Sequence, residues 1–211
     1  MASPNIIRVG GIAAMLAGVT WLMDALLIAL QGGSNNAAFA PLSTLLFFTA
    51  PLFAALGLVG LRARLADQGG RLARVGGVLA YIGVLGSAIN VGYFVYIVYI
   101  VNAGRGGIEL GGPMTLGVAG TIIGLLGSAI VLGIATLRVT VLPPWANMLP
   151  LVLGILSIPG FILLQILMNL VLPTAASGEL PTLVIGIAWL ALGYAILTGN
   201  PTQVRSSLAA R

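Results

Sequence analysis

Arg8-Val9-Gly10-Gly11-Ile12 opens a long apolar run, and Arg74-Val75-Gly76-Gly77-Val78 opens another. Sixteen positions beyond each Arg stands a strongly polar residue, Asp24 in the first copy and Asn90 in the second, inside segments otherwise built from Leu, Ile, Val, Ala and Gly. A polar group recurring at one offset within an apolar run of this length is the pattern of a repeated membrane-spanning helix. The rest of the chain follows from that reading.

Of the 211 residues, 59% are hydrophobic and 6% charged, with a mean hydropathy of +1.14. A water-soluble fold of this length needs far more polar surface, so lipid is the solvent for most of the chain. Cys and His are absent, and every basic residue is Arg. That composition leaves no imidazole or thiolate for haem, zinc, copper or iron–sulfur sites, no Lys for a Schiff base, and no Ser-His or Cys-His nucleophile pair. No cofactor or metal is expected. The only Asp residues are Asp24 and Asp67, the latter in a polar loop, so a membrane-embedded aspartyl pair is also excluded. The formal charge of +5 is explained by Arg residues in short loops, and no basic and aromatic stripe of the nucleic-acid-binding kind is present.

Six apolar segments are long enough to cross a hydrocarbon core, at roughly 8–30, 40–61, 74–101, 114–137, 145–171 and 181–199. They are continuous and do not alternate, which predicts helices rather than barrel strands. The first is too long for a signal-peptide core and is interrupted by Asp24, so a retained span is expected. Pro41 and Pro181 sit at helix starts, where a missing N–H costs nothing, while Pro51 and Pro159 lie inside spans and can kink them. In a six-span layout Arg8, Arg62, Arg64, Arg71, Arg74, Arg138, Arg205 and Arg211 share one side and Arg105 stands on the other. Both termini are therefore expected in the cytoplasm.

The repeat also shows where each pair of spans closes. Ala55-Leu56-Gly57-Leu58-Val59-Gly60-Leu61-Arg62 is matched by Val131-Leu132-Gly133-Ile134-Ala135-Thr136-Leu137-Arg138 and by Ala191-Leu192-Gly193-Tyr194-Ala195-Ile196-Leu197-Thr198. Trp145-Ala146-Asn147-Met148 is a degenerate third opening. The predicted architecture is an all-α bundle forming one transmembrane domain over 1–211, with three tandem parallel hairpins at 1–66, 67–140 and 141–205. The stretch Gly57 to Gly77 and the segment Leu142-Pro143-Pro144-Trp145-Ala146 resemble small six-span bacterial inner-membrane proteins of uncharacterised activity. That resemblance implies a bacterial cytoplasmic membrane and no particular chemistry.

Asp24 is the strongest site candidate. It lies about 24 Å from Arg8 along a helix rising ~1.5 Å per residue, in the outer half of a core ~30 Å thick. A carboxylate at such depth marks a site or a buried partner such as Arg105, a backbone amide or Asn90. Gly10, Ala14, Ala17, Trp21 and Asp24 share one helix face, and Gly76, Ala80, Gly83, Ser87 and Asn90 repeat the offsets. These small-residue stripes predict that the first and third helices pack side by side at the bundle centre. Gly117, Gly120, Gly124 and Gly127 form a further stripe for packing within the chain or between copies. Gln165 and Asn169, four residues apart, complete a candidate ligand set with Asp24, Asn90, Trp21 and Tyr93. Tyr93, Tyr96 and Tyr99 also suit an interfacial aromatic belt. Arg62, Arg64, Arg71 and Arg74 are placed to meet lipid headgroups.

No nucleophile has a base and no glycine-rich run has a phosphate-loop context, so an enzyme is not expected. Two readings remain. One is a non-catalytic multi-pass protein, an accessory, scaffold or sensor subunit meeting other membrane proteins or a second copy through helix faces. The alternative is a small transporter or channel for a lipophilic or cationic ligand, with an outward-facing site around Asp24.

Overall fold

A computed structural model describes residues 3–31, 40–96, 112–139, 141–157 and 180–199. Among them no strand occurs. The elements are α1 (Pro4–Gln31), α2 (Ala40–Leu65), α3 (Gly70–Val95), α4 (Gly112–Arg138), a 3-10 turn (Pro144–Ala146), α5 (Leu149–Ile155) and α6 (Leu180–Thr198). Five of these, α1 to α4 and α6, are long and apolar enough to cross a membrane. With helices of this length and so little polar surface, the chain is a multi-pass membrane protein. The expected fifth span is described only through α5, and the rest of it lies outside the described residues.

Neighbouring helices run antiparallel. Gly10 meets Gly60 while Ala14 meets Gly57 across α1 and α2, and Gly83 meets Gly124 while Gly86 meets Thr121 across α3 and α4. Gly133 packs on Leu151 and Gly154 on Ile130, which joins α4 to α5. α1 packs on both α2 and α6, and α2 touches α3, α4 and α6. The core threads through these seams as Ala14, Ala17, Ala54, Ala55, Leu58, Leu61, Ala80, Leu132, Trp189, Leu192 and Ile196, each buried.

The small-residue stripes act differently from expectation. α1 and α3 do not pack through them: the α1 stripe seats α2 and the α3 stripe seats α4. The reason is geometric. Without a hydrophobic drive between helices in lipid, contact comes from close backbone approach, and the glycines of each following helix offer the closest one. The stripe of Gly117, Gly120, Gly124 and Gly127 faces Asn90, Gly86, Gly83 and Leu79 of α3, and so serves packing within the chain.

The two Arg-Val-Gly-Gly openings behave alike. Gly10 and Gly76 face α2 and α4, where they meet Leu56 and Gly60 or Leu132, and Leu56 and Leu132 are equivalent in the closing motifs. Gly11 and Gly77 turn to the other neighbour, Leu197 of α6 and Arg62 of α2. Val9, Ile12, Leu16, Val19 and Met23 are exposed on α1, and Val75, Val78, Ile82, Leu85 and Ile89 are exposed at the same offsets on α3. Asp24 and Asn90 are both buried.

The turn between α2 and α3 is tight. Gln68 and Gly69 donate their N–H groups to the Leu65 carbonyl at 3.1 and 2.7 Å, and Gly70 takes φ +54°, a left-handed value that glycine adopts without strain. Six arginines, Arg8, Arg62, Arg64, Arg71, Arg74 and Arg138, stand at the joined ends of α1, α2, α3 and α4. That end of the bundle is strongly basic.

Candidate functional site

Asp24 sits about two turns from the end of α1 and is 3% exposed. Ser43, in the first turn of α2, donates its hydroxyl to Asp24 Oδ1 at 2.5 Å. A hydroxyl bonding a carboxylate is a charge-assisted contact, among the stronger hydrogen bonds a side chain makes. Thr20, one turn earlier and also buried, spends its hydroxyl on the Leu16 carbonyl at 2.7 Å. Trp21 meets Phe47 edge to face with ring centroids 5.7 Å apart. Phe47 continues to Phe48, and Phe48 to Phe94 of α3 at 5.4 Å. This run of rings links α1, α2 and α3 at the ends remote from the arginines.

A second polar group belongs to α3 and α4. Asn90 Nδ2 donates to Thr121 Oγ1 at 3.2 Å, and Ser87 and Thr121 share a hydrogen bond of 3.2 Å. Asn90 is 4% exposed, and its Oδ1 has no hydrogen-bond partner among the described residues. The amide oxygen presses on Gly117, where a Cβ would collide with it. Gly117 thus makes room for the amide.

Asp24 and Asn90 are therefore not partners. Each is held by the helix that follows its own, Asp24 by Ser43 and Asn90 by Thr121. Of the other candidate residues, Trp21 packs beside this region and Tyr93 is half-buried. Gln165, Asn169, Tyr99, Pro159 and Arg105 lie outside the described residues. Sequence reading missed Ser43, Thr121 and the phenylalanine run. The signal was available for Ser43: once Gly10 is set against Gly60 in an antiparallel pair, Asp24 falls opposite residues 46–47, one turn from Ser43.

At the basic end, the arginines divide by what they touch. Arg62 lies along Gly77, with its Nε 3.0 Å from where a Cβ would stand. Arg64, expected at lipid headgroups, turns inward. Its Nε donates to the Ile196 carbonyl at 2.9 Å and its Nη1 to the Val141 carbonyl at 3.2 Å. Carbonyls in the last turn of a helix lack intrahelical donors, so a guanidinium is drawn to them by bonding and by the helix dipole. Arg8, Arg71, Arg74 and Arg138 remain exposed. Arg71 and Arg138 line a cleft of about 270 Å3 between the α2–α3 turn and the end of α4, together with Gln68, Gly69, Gly70, Leu72, Ala135 and Val139.

No group of three or more acidic side chains suited to a metal ion occurs among the described residues. No protein family, curated protein or solved structure matches the chain.

Proposed function

We propose that the chain is a non-catalytic multi-pass protein of the bacterial inner membrane, an accessory, scaffold or sensor subunit that meets its partners through lipid-exposed helix faces. In this reading it crosses the bilayer six times as three parallel hairpins, with the arginine-rich end and both termini in the cytoplasm. The identical offsets of exposed and buried residues on α1 and α3 support the repeat. The gathering of arginines at one end supports the orientation.

One observation carries the functional reading: the only acidic residue of the described spans is 3% exposed and bound to Ser43 of the adjoining helix. A transport site needs a polar group that a solute can reach. Here the carboxylate is engaged by the protein itself, and the seams on either side of α1 are closed by glycine contacts with α2 and α6. The faces left over are apolar, among them the long stripe Val9, Ile12, Leu16, Val19, Met23, Leu26 and Leu30.

The absence of native cysteine gives a direct test. Single variants Ser43→Cys, Gly112→Cys and Gln68→Cys are treated in intact cells and inverted vesicles with a membrane-impermeant maleimide. The thiol of Ser43→Cys should stay unreactive, while that of Gly112→Cys is labelled from outside and that of Gln68→Cys from the cytoplasm. Rapid labelling of the Ser43→Cys variant that a cationic solute slows would instead establish the transporter alternative.

A further inference from the structure

The cleft between the α2–α3 turn and the end of α4 has no role in the reading above. Its lining includes two arginines from separate helices, Arg71 at the start of α3 and Arg138 at the end of α4, around a space of about 270 Å3. That is slightly below the ~300–1,000 Å3 of typical small-molecule sites, and fits a headgroup better than a larger solute. Asp67, the acidic residue of the turn, is not among the lining residues. Neither Arg71 nor Arg138 has a hydrogen bond or ion pair among the described residues, whereas Arg64 at the same end is used up on two carbonyls.

The setting narrows the ligand. α3 and α4 are both long enough to span, and the cleft lies where one begins and the other ends, the depth of lipid headgroups. Gly69 caps α3 without a side-chain bond, which leaves first-turn N–H groups directed to the same end of the helix. Leu72, Ala135 and Val139 supply an apolar wall, which suits the glycerol and first methylenes below a phosphate. Two arginines offer planar donor pairs matched to phosphate oxygens.

We infer that this cleft binds the phosphate of an anionic phospholipid, held between Arg71 and Arg138. The inference rests on the membrane-spanning reading, and not on whether the protein is a subunit or a transporter.

The test offers delipidated protein vesicles of equal parts phosphatidylcholine and phosphatidylglycerol, then counts retained lipid by native mass spectrometry. Wild type should keep phosphatidylglycerol over phosphatidylcholine. The double variant Arg71→Gln/Arg138→Gln should lose that preference by roughly tenfold or more, and Val139→Trp should lose it with every charge intact. Arg8→Gln/Arg74→Gln, which removes as much charge away from the cleft, should retain it. Equal losses in both double variants, or no effect of Val139→Trp, would mean a diffuse basic surface and overturn the proposal. A second arm adds inorganic phosphate alone and follows thermal stability. Protection by phosphate without retained lipid assigns the cleft to a free anion and overturns the headgroup assignment. Maleimide labelling of the Ser43→Cys variant bears on the packed-subunit reading only, so the two ideas fail separately.

Discussion

The Arg64 guanidinium of α2 donates to the carbonyl oxygen of Ile196, in the last turn of α6, at 2.9 Å. The same side chain reaches Val141 in the segment leading to the 3-10 turn. One cation therefore joins three parts of the chain far apart in sequence.

Replacing it should loosen that end of the bundle. Arg64→Gln removes charge-assisted bonds worth about 1.5–3 kcal/mol, and Arg64→Lys should recover only part of this because a point charge cannot serve two carbonyls in a fork. Arg74→Gln, on an exposed side chain, should be within ~0.5 kcal/mol of wild type. Unfolding in detergent micelles, followed by circular dichroism, ranks the three.

Ser43→Ala takes the donor from a buried carboxylate and should destabilise by about 1–3 kcal/mol. Asp24→Asn keeps an acceptor for the Ser43 hydroxyl while removing the charge, so it should be milder. In the Asp24→Asn background the Ser43→Ala effect should shrink, giving a coupling of about 1 kcal/mol or more in a double-mutant cycle. Additive effects would show that the hydroxyl and the carboxylate are energetically independent.

Two glycines of α3 should respond oppositely to alanine. A Cβ on Gly86 would stand 2.6 Å from the Gly120 carbonyl carbon, whereas one on Gly92 meets nothing within 4 Å. Gly86→Ala should cost about 1–3 kcal/mol through overpacking. Gly92→Ala should be neutral or stabilise by up to ~1 kcal/mol, since alanine restricts the unfolded chain and favours the helix. Thermal unfolding of the two purified variants decides it.

Gly70 isolates backbone strain from packing. Its φ of +54° meets open space, so Gly70→Ala should cost ~1–2 kcal/mol for conformation alone. Gly70→Asn should cost less, because Asn visits the left-handed region more readily. Comparable melting temperatures for the two variants would mean that the turn relaxes.

Length and hydropathy were enough to locate the long helices among the described residues. The expected spans at 8–30, 40–61, 114–137 and 181–199 correspond to α1, α2, α4 and α6 within a few residues, because a run of apolar residues that must satisfy its own backbone in lipid has only the helix available. Partners were harder to read. A stripe such as Gly10, Ala14 and Ala17 announces that some backbone will come close, but its composition does not say which, and the closing glycines Gly57 and Gly60 supplied the nearer fit. Asp24 stood out because a charge is costly in an apolar run. Ser43 did not, since a single hydroxyl near a helix start is unremarkable until the register brings it within a turn of a carboxylate. The arginines shared a side in the count but not a role, and only the three-dimensional arrangement separates Arg64, turned onto carbonyls, from Arg71 and Arg138, which line a cleft.

The seam between α1 and α6 brings Gly18 against Gly186 and Gly11 against Gly193, contacts between the first and last described helices. At ~5–20 residues per second of synthesis, Gly18 emerges on the order of ten seconds or more before its neighbour exists. During biogenesis the small-residue groove of α1 must therefore wait, shielded by lipid or by the insertion machinery, until α6 enters and seals it. A chain stopped before α6 would carry that groove open into the bilayer, a ready mark for membrane quality control.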